Sequence, residues 1–207
     1  MSNSSEKLKI LVLGGSGFIG SAVIPELLKR GHQVIATFCY HSPPPKDNND
    51  LTWISWDGTK EPIPNIDWRE VNAVLHLASY SDIWDFPSDA RSIYQVMIES
   101  VFNILEKACT QNIRRVVVAS TGDVLSSNIQ VATEEDVNYM PRSFYGTAKA
   151  CAELISNAYS SVLSTAILRL FHPYGPGGER FVINRLAMAV KEGNEITIEG
   201  KDGIIIS

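Results

Sequence analysis

The amino-acid sequence predicts an α/β protein, a doubly wound parallel sheet with helices on both faces. Short apolar runs alternate with segments of helical periodicity along the chain, and no internal repeat interrupts them. A glycine-rich turn joins the first apolar run to the first helical segment. Strands that alternate with helices favour a parallel sheet, because each connecting helix covers one face of it.

Each predicted strand is a short apolar run, and each predicted helix repeats its apolar side chains every three or four residues. Strands are expected at residues 8–13, 34–38, 52–55, 73–77, 115–120, 165–170 and 196–198. Helices are expected at residues 18–30, 90–112, 143–161 and 181–192. Pro25 falls inside the first helix, where it should bend the helix or leave one carbonyl unpaired. The proline-rich residues 41–50 predict a surface loop.

Composition and charge exclude several classes of partner. The chain has 207 residues, with 18 lysines and arginines against 23 aspartates and glutamates, for a net charge of −5. Nucleic acids and anionic membranes require a positive field that this balance lacks. No apolar run approaches the roughly 20 residues of a membrane span. Three cysteines without a C-x-x-C pair, and histidines and acids without metal-ligand spacing, predict reduced thiols and no metal. We therefore expect a cytoplasmic protein.

The turn Gly14-Gly15-Ser16-Gly17-Phe18-Ile19-Gly20 follows the first strand and opens the first helix. Gly14 permits a tight turn, Gly17 lets the backbone approach a pyrophosphate, and Gly20 lets helix and strand pack closely. The helix N-terminus then offers free amides and its positive dipole end to the anion. This placement favours dinucleotide binding over a glycine turn that binds nothing. The second strand ends without the acidic residue that would hold a ribose diol, so NAD and NADP both remain candidates.

Tyr145 and Lys149 are four residues apart and therefore share one helix face. A nearby ammonium favours the phenolate, so the pair predicts a lowered tyrosine pKa and a general acid or base. In isolation, the more common explanation is a half-buried tyrosine beside a solvated lysine. Thr121 ends the fifth strand, at the sheet edge where ligands bind in open α/β folds. The glycine turn, the hydroxyl at the end of the fifth strand and the Tyr-x-x-x-Lys spacing occur in this order along the chain. Together they form a more specific signal than any one of them alone.

These motifs resemble the extended short-chain dehydrogenase/reductase family. Three further segments carry the same resemblance, namely Trp56-Asp57-Gly58, His76-Leu77-Ala78-Ser79 and the run Arg169 to Pro176. The resemblance is to its nucleotide-sugar epimerase and dehydratase branch, and it extends from Lys9 to about Gly203. It implies a Rossmann fold with bound NAD or NADP, of which NAD is favoured. The catalytic set that it implies is Thr121, Tyr145 and Lys149. The cofactor-binding residues that it implies are Gly14, Gly17, Phe18, Ile19, Gly20, Asp57, Gly58, Leu77, Ala78, Ser79, Ala119, Tyr145, Lys149 and Pro173.

The resemblance implies hydride transfer at a sugar carbon, with Tyr145 moving the hydroxyl proton and Ser81, Thr121 and His172 meeting the substrate. His172 fits a packed loop histidine equally well. An epimerase and a reductase would use the same three catalytic side chains, so both stay open. The alternatives are a reductase of another small carbonyl compound and a non-catalytic NAD(P)-binding regulatory protein.

Several positions depart from the pattern of this branch. Gly122 and Asp123 stand where dehydratases carry an Asp-Glu pair, which disfavours 4,6-dehydration, and Met97 stands where the family usually has Asn. Residues 1–175 are expected to form the cofactor domain with the catalytic residues. Residues 176–207 would begin a truncated substrate-binding lobe that is largely absent. The resemblance also implies a homodimer through the helices at 90–112 and 143–161, with solvated outer faces as the alternative.

Overall fold

One sheet organises the computed structural model, which describes residues 6–39, 48–80, 85–125, 131–136, 138–178 and 181–195. Its strands are β1 (Lys9–Leu13), β2 (Gln33–Phe38), β3 (Leu51–Ser55), β4 (Ala73–His76), β5 (Arg115–Thr121) and β6 (Ser164–Leu170). They lie in the order β3-β2-β1-β4-β5-β6. The pairs β1–β2, β1–β4, β2–β3 and β4–β5 are parallel. This is the strand order of a Rossmann sheet, so the predicted fold class is confirmed.

The helices connect these strands as the periodicity predicts. They are α1 (Phe18–Lys29), α2 (Ala90–Tyr94), α3 (Ser100–Thr110), α4 (Phe144–Ala158) and α5 (Val182–Glu192). α1 continues through Pro25. The helix predicted over 90–112 consists of α2, a π-helical turn at Gln95–Glu99, and α3. Apolar spacing alone does not reveal such a turn, because the buried residues Ile93, Met97, Val101 and Ile104 keep the three- or four-residue spacing of an α-helix. The strand predicted at 196–198 lies outside the described residues.

Alternate residues of β1 enter two separate apolar clusters, because successive strand side chains point to opposite faces. Ile10 and Val12 pack with Ile24 of α1, whereas Leu11 and Leu13 belong to a larger cluster that includes Ile104 of α3. All six side chains are at most 8% exposed. Helices therefore cover both faces of the sheet, as a doubly wound fold requires.

The chain divides into two compact units, residues 1–169 and residues 170–207. The first contains the glycine turn, β1 to β5 and α1 to α4. In the second, the side chain of Asn184 in α5 bonds both the amide and the carbonyl of Gly175, at 3.2 and 2.6 Å. The boundary predicted after residue 175 stays a prediction.

Two absences concern the part of the chain that the structure describes. No helix there is both long enough and apolar enough to cross a membrane. Within the same part of the chain, histidine, cysteine and acidic side chains form no group that could hold a metal ion.

Candidate active site

The glycine turn between β1 and α1 is held in a conformation that a side chain would disturb. Gly14 has φ +78°, and a Cβ atom there would lie 2.8 Å from the backbone of Ala78. A Cβ on Gly20 would lie 2.4 Å from the carbonyl oxygen of Gly15. The turn is fastened to β2, because the amide of Gly14 donates to the Thr37 hydroxyl at 2.8 Å. The turn is therefore close-packed and fixed in shape.

The N-terminus of α1 is suited to an anion. No acidic residue lies in its first turn, and its N-cap, Gly17, makes no side-chain capping bond. Among the described residues, the amides of Ile19 and Gly20 have no acceptor. Free amides at the positive end of a helix are the donors that bind phosphate groups. The residues present therefore fit the pyrophosphate of a dinucleotide.

The residues that follow β4 lie beside this turn. The amide of Leu77 donates to the carbonyl of Leu13 at 2.9 Å, and Ala78 is the residue that a Cβ on Gly14 would strike. Ala78 is buried, whereas Ser79 is exposed. Because β1 and β4 are parallel neighbours, their carboxyl ends open on the same edge of the sheet. Two of the predicted cofactor residues, Leu77 and Ala78, thus adjoin the glycine turn, and Ser79 follows them.

Asp57, the predicted adenine contact, lies just after β3 in a turn of its own. Its carboxylate accepts the Thr59 amide at 3.0 Å and the Thr59 hydroxyl at 2.7 Å, and it pairs with Lys60 at 2.9 Å. Burial raises the pKa of this carboxyl, but the bonds from Thr59 and Lys60 outweigh it and lower the pKa below its ordinary value. Gly58 follows against the Trp56 ring, from which a Cβ would stand 3.0 Å. Asp57 is therefore a fixed, ionised acceptor.

Tyr145 and Lys149 lie on α4, whose N-cap Ser143 accepts the Gly146 amide at 3.0 Å. The Lys149 ammonium is buried, donates to the carbonyl oxygen of Ala119 at 2.9 Å, and lies 6.0 Å from the centre of the Tyr145 ring. A Cβ on Gly146 would stand 2.8 Å from the carbonyl oxygen of Asp123, so α4 begins in close contact with the end of β5. The structure therefore brings Ala119, Tyr145 and Lys149 together.

The phenol of Tyr145 interacts with the hydroxyls of Ser79 and Thr121. Burial and the nearby Asp123 carboxylate raise the Tyr145 pKa, and the two hydroxyls offset only part of this rise. The predicted lowering of this pKa is therefore wrong for the protein as it stands. The ammonium of Lys149 donates to the Ala119 carbonyl and is not among the groups that lower the Tyr145 pKa, so it does not compensate for burial.

Two buried bases lie close to each other in this region. Burial lowers the pKa of Lys149 to about 8, which leaves the ammonium mostly protonated at neutral pH. Burial, and then the charge of Lys149, lower the pKa of His76 to about 3. The Nε2 atom of His76 lies 2.7 Å from the Ser100 hydroxyl, which itself donates to the Val96 carbonyl at 2.6 Å. Since that hydroxyl proton is used, Nε2 is the protonated nitrogen of a neutral imidazole.

The remaining predicted site residues are placed as follows. Phe18 and Ile19 open α1 half-buried. His172 and Pro173 belong to the second unit, where His172 is exposed and has φ +40°. Ser81 lies outside the described residues. Met97 is buried in the π-helical turn. The roles predicted for these residues stay predictions.

Sequence reasoning missed two features of the site. Thr37 is one, because an isolated threonine in a strand gives no signal that it binds a turn 23 residues earlier in the sequence. The other is a buried polar cluster of Ser120, Tyr139, Glu153 and Arg169. Its only signal was the position of Glu153, four residues after Lys149 on the same helix face.

The sequence model of a family described as "NAD dependent epimerase/dehydratase family" matches residues 10–203. Protein CapI of Staphylococcus aureus is 29% identical over 187 residues, which are 83% of this chain and 56% of that protein. An uncharacterized UDP-glucose epimerase of Bacillus subtilis, YtcB, is 30% identical over 82% of this chain and 58% of its own length. The chain thus spans well under two thirds of the length of these relatives.

Solved structures give the same fold. The structure of MoeE5 in complex with UDP-glucuronic acid and NAD has a TM-score of 0.76 and 29% identity, and the match covers 93% of this chain and 64% of that one. A UDP-glucuronic acid 4-epimerase from Bacillus cereus in complex with NAD has a TM-score of 0.78 and 26% identity, over 93% and 66% of the two chains.

Proposed function

Because this chain belongs to the NAD dependent epimerase/dehydratase family, we propose that it carries the cofactor-binding and catalytic half of an NAD-dependent enzyme acting on a nucleotide sugar. The chemistry is hydride transfer at a carbinol carbon, as in an epimerase or a reductase of that class. The relatives named as UDP-sugar epimerases favour the epimerase, and a UDP-sugar as the substrate class.

A continuous path of contacts supports this proposal. The glycine turn that fits a pyrophosphate touches Ala78, the next residue, Ser79, interacts with Tyr145, and Tyr145 also interacts with Thr121. A dinucleotide that rests on the N-terminus of α1 and extends along this edge of the sheet would reach the phenol. A non-catalytic NAD-binding protein needs the turn but not this convergence of hydroxyls on Tyr145.

Bound NAD would supply the hydride acceptor, and later the hydride donor, opposite the reacting carbon. With its pKa raised, Tyr145 keeps its proton at neutral pH and is set to donate it to a carbonyl oxygen. In the opposite direction the same oxygen, once it has given up its proton, would take the proton of a sugar hydroxyl. Thr121 would hold the same oxygen by a hydrogen bond, and Lys149, fixed by the Ala119 carbonyl, would hold the cofactor ribose. The Asp-Glu pair of dehydratases is replaced by Gly122 and Asp123, so water elimination is not proposed.

A Tyr145→Phe variant tests this function. NAD affinity, measured by calorimetry, should stay within about twofold, because the ring and its packing remain. Turnover of UDP-sugars, followed by nicotinamide absorbance and by product analysis, should fall by about 10²- to 10⁴-fold, the usual contribution of a general acid or base.

Tyr94→Phe, at an exposed tyrosine of α2, is the matched control and should behave as the wild type. Full turnover in Tyr145→Phe would refute the catalytic role. Absence of NAD binding in the wild-type chain would refute the cofactor assignment as well.

Homodimerisation and a cytoplasmic location stay predictions. The predicted dimer surface is formed by the helices at 90–112 and 143–161. Phe102 of α3 and Leu154 of α4 are 44% and 53% exposed, which is compatible with a second chain against these helices. NADP remains the alternative cofactor, since Phe38 and Cys39 at the end of β2 offer neither a carboxylate nor a guanidinium.

A further inference from the structure

We propose that Glu153 is a positioning residue that holds the end of β5 in register with α4 through the hydroxyl of Ser120. The inference rests on the proposed function, because the groups that it keeps aligned are Thr121, Tyr145 and Lys149. Glu153 itself touches none of the reacting atoms assigned above.

Three successive turns of α4 meet three consecutive residues of β5. Tyr145 interacts with Thr121, the ammonium of Lys149 donates to the Ala119 carbonyl at 2.9 Å, and the Ser120 hydroxyl donates to the Glu153 carboxylate. Tyr145, Lys149 and Glu153 are four residues apart, so they form one row along the helix. Along β5 the Ser120 bond therefore lies between the two contacts that the chemistry needs, whereas along α4 its acceptor Glu153 stands at the end of the row. A slip of β5 along α4 would break all three contacts together.

The carboxylate at the end of this row is buried and charged. Glu153 is 0% exposed, and it accepts bonds from Nε and Nη2 of Arg169 at 3.0 and 2.7 Å and from the Tyr139 hydroxyl at 2.9 Å. Burial raises the pKa of this carboxyl, but the bonds from Arg169, Ser120 and Tyr139 outweigh it and bring the pKa below its ordinary value. The Ser120 hydroxyl thus donates to an ionised acceptor, which makes the bond short and directional.

A buried ion pair is a weak source of stability, because the cost of removing both charges from water offsets most of their attraction. What such a pair supplies well is a defined geometry. Arg169 is itself fixed by a bond to the Asp136 carbonyl at 2.8 Å, so the carboxylate is held from two sides before it meets Ser120. The pair therefore acts as an anchor for the strand end.

Ser120 and Tyr139 each donate one hydroxyl to the same carboxylate, but only Ser120 belongs to β5. Tyr139 lies in the segment 138–143, where it packs against Val124, Leu125 and Ala150 and forms a backbone bridge with Leu125, after the end of β5. Removing either hydroxyl costs the carboxylate one bond. If Glu153 acts through β5, only the loss of the Ser120 hydroxyl should reach the catalytic groups.

The test compares Ser120→Ala with Tyr139→Phe. Both should lower the melting temperature to a similar extent and leave the NAD dissociation constant within about twofold. Ser120→Ala alone should lower kcat by about 10- to 100-fold with little change in KM, the cost of a misaligned catalytic group. It alone should also shift the pH profile of turnover and the titration midpoint of Tyr145, measured by NMR on ¹³C-tyrosine-labelled protein.

Wild-type kcat, pH profile and Tyr145 titration in Ser120→Ala would overturn the proposal, as would equal losses of kcat in the two variants. If the wild-type chain binds NAD but turns over no UDP-sugar, the proposed function fails. The Tyr145 titration then decides the positioning role on its own, because it needs no substrate.

Discussion

Acidifying the protein from about pH 7.5 to about pH 5 should lower its free energy of unfolding by about 2 kcal/mol through one buried side chain, His76. This imidazole is 1% exposed, and its Nδ1 atom has no hydrogen-bond partner among the described residues. Its other nitrogen is bonded to Ser100, and its charged form would stand near the ammonium of Lys149. The native fold therefore resists the proton that an unfolded chain accepts readily.

The magnitude follows from the two pKa values. His76 has a native pKa of about 3 against an ordinary value of 6.5. Between these values the unfolded state binds more protons, so stability is fully present above pH 6.5 and is lost as the pH falls toward 3. At about pH 5, one and a half units below the ordinary value, the loss is about 2 kcal/mol at 1.36 kcal/mol per unit. Carboxyl groups contribute mainly below this range, because their ordinary pKa values are 3.8 and 4.5.

Urea unfolding followed by circular dichroism at several pH values measures this slope. His76→Asn removes the titrating group, so its unfolding free energy should vary far less between about pH 7.5 and about pH 5 than that of the wild type. Ser100→Ala is the matched control, since it removes the partner of Nε2 and keeps the imidazole. It should be less stable at every pH and keep the slope. An unchanged slope in His76→Asn would refute the assignment.

Two further predictions concern the glycine turn. Gly20→Ala places a Cβ 2.4 Å from the Gly15 carbonyl oxygen, so we expect a loss of about 1–3 kcal/mol in stability and NAD binding weakened about tenfold or more. Gly31→Ala is the control: its φ of +83° strains an alanine, but a Cβ there meets no neighbouring atom. It should leave NAD affinity unchanged when NAD is titrated by calorimetry. Equal NAD affinities in Gly20→Ala and Gly31→Ala would contradict the role of the turn. Thr37→Val removes the acceptor of the Gly14 amide and should cost about 1–3 kcal/mol in denaturant unfolding. A valine variant as stable as the wild type would show that the bond is dispensable.

The order and type of the elements could be predicted because they depend on local hydrophobic pattern. β2 is the run Gln33–Phe38 and α4 is Phe144–Ala158, each within three residues of the predicted ends. The π-helical turn at Gln95–Glu99 could not, because its apolar residues keep the spacing of an α-helix. Ser100, the residue that follows this turn, bonds the Val96 carbonyl within the helix and the imidazole of His76 on β4, and the second of these contacts exists only in the folded chain.

The candidate site was predictable as a set of residues but not as an electrostatic environment. The spacing of Tyr145 and Lys149 indicates that they share a helix face, and they do. The direction of the Tyr145 pKa depends on burial and on Asp123, a residue 22 positions earlier that only the fold brings near. Glu153 is similar, since it lies on α4 and its partner Arg169 lies on β6, and the sequence alone does not say which acidic side chains are buried beside a basic one.

The sheet order explains why residues far apart in the sequence converge here. β1, β4 and β5 are adjacent in the sheet, so the segments that follow them open on one edge, although Gly14, Ser79 and Thr121 are separated by dozens of residues. The relative positions of these segments depend on the register of parallel backbones, and each register slip would move a whole segment by a residue step of roughly 3.3 Å. Hydrogen bonding at reacting atoms tolerates far less than that. Some side chains fix the register: Thr37 of β2 bonds the glycine turn, and Glu153 of α4 bonds the end of β5. They therefore belong to the site as much as the residues that face the substrate.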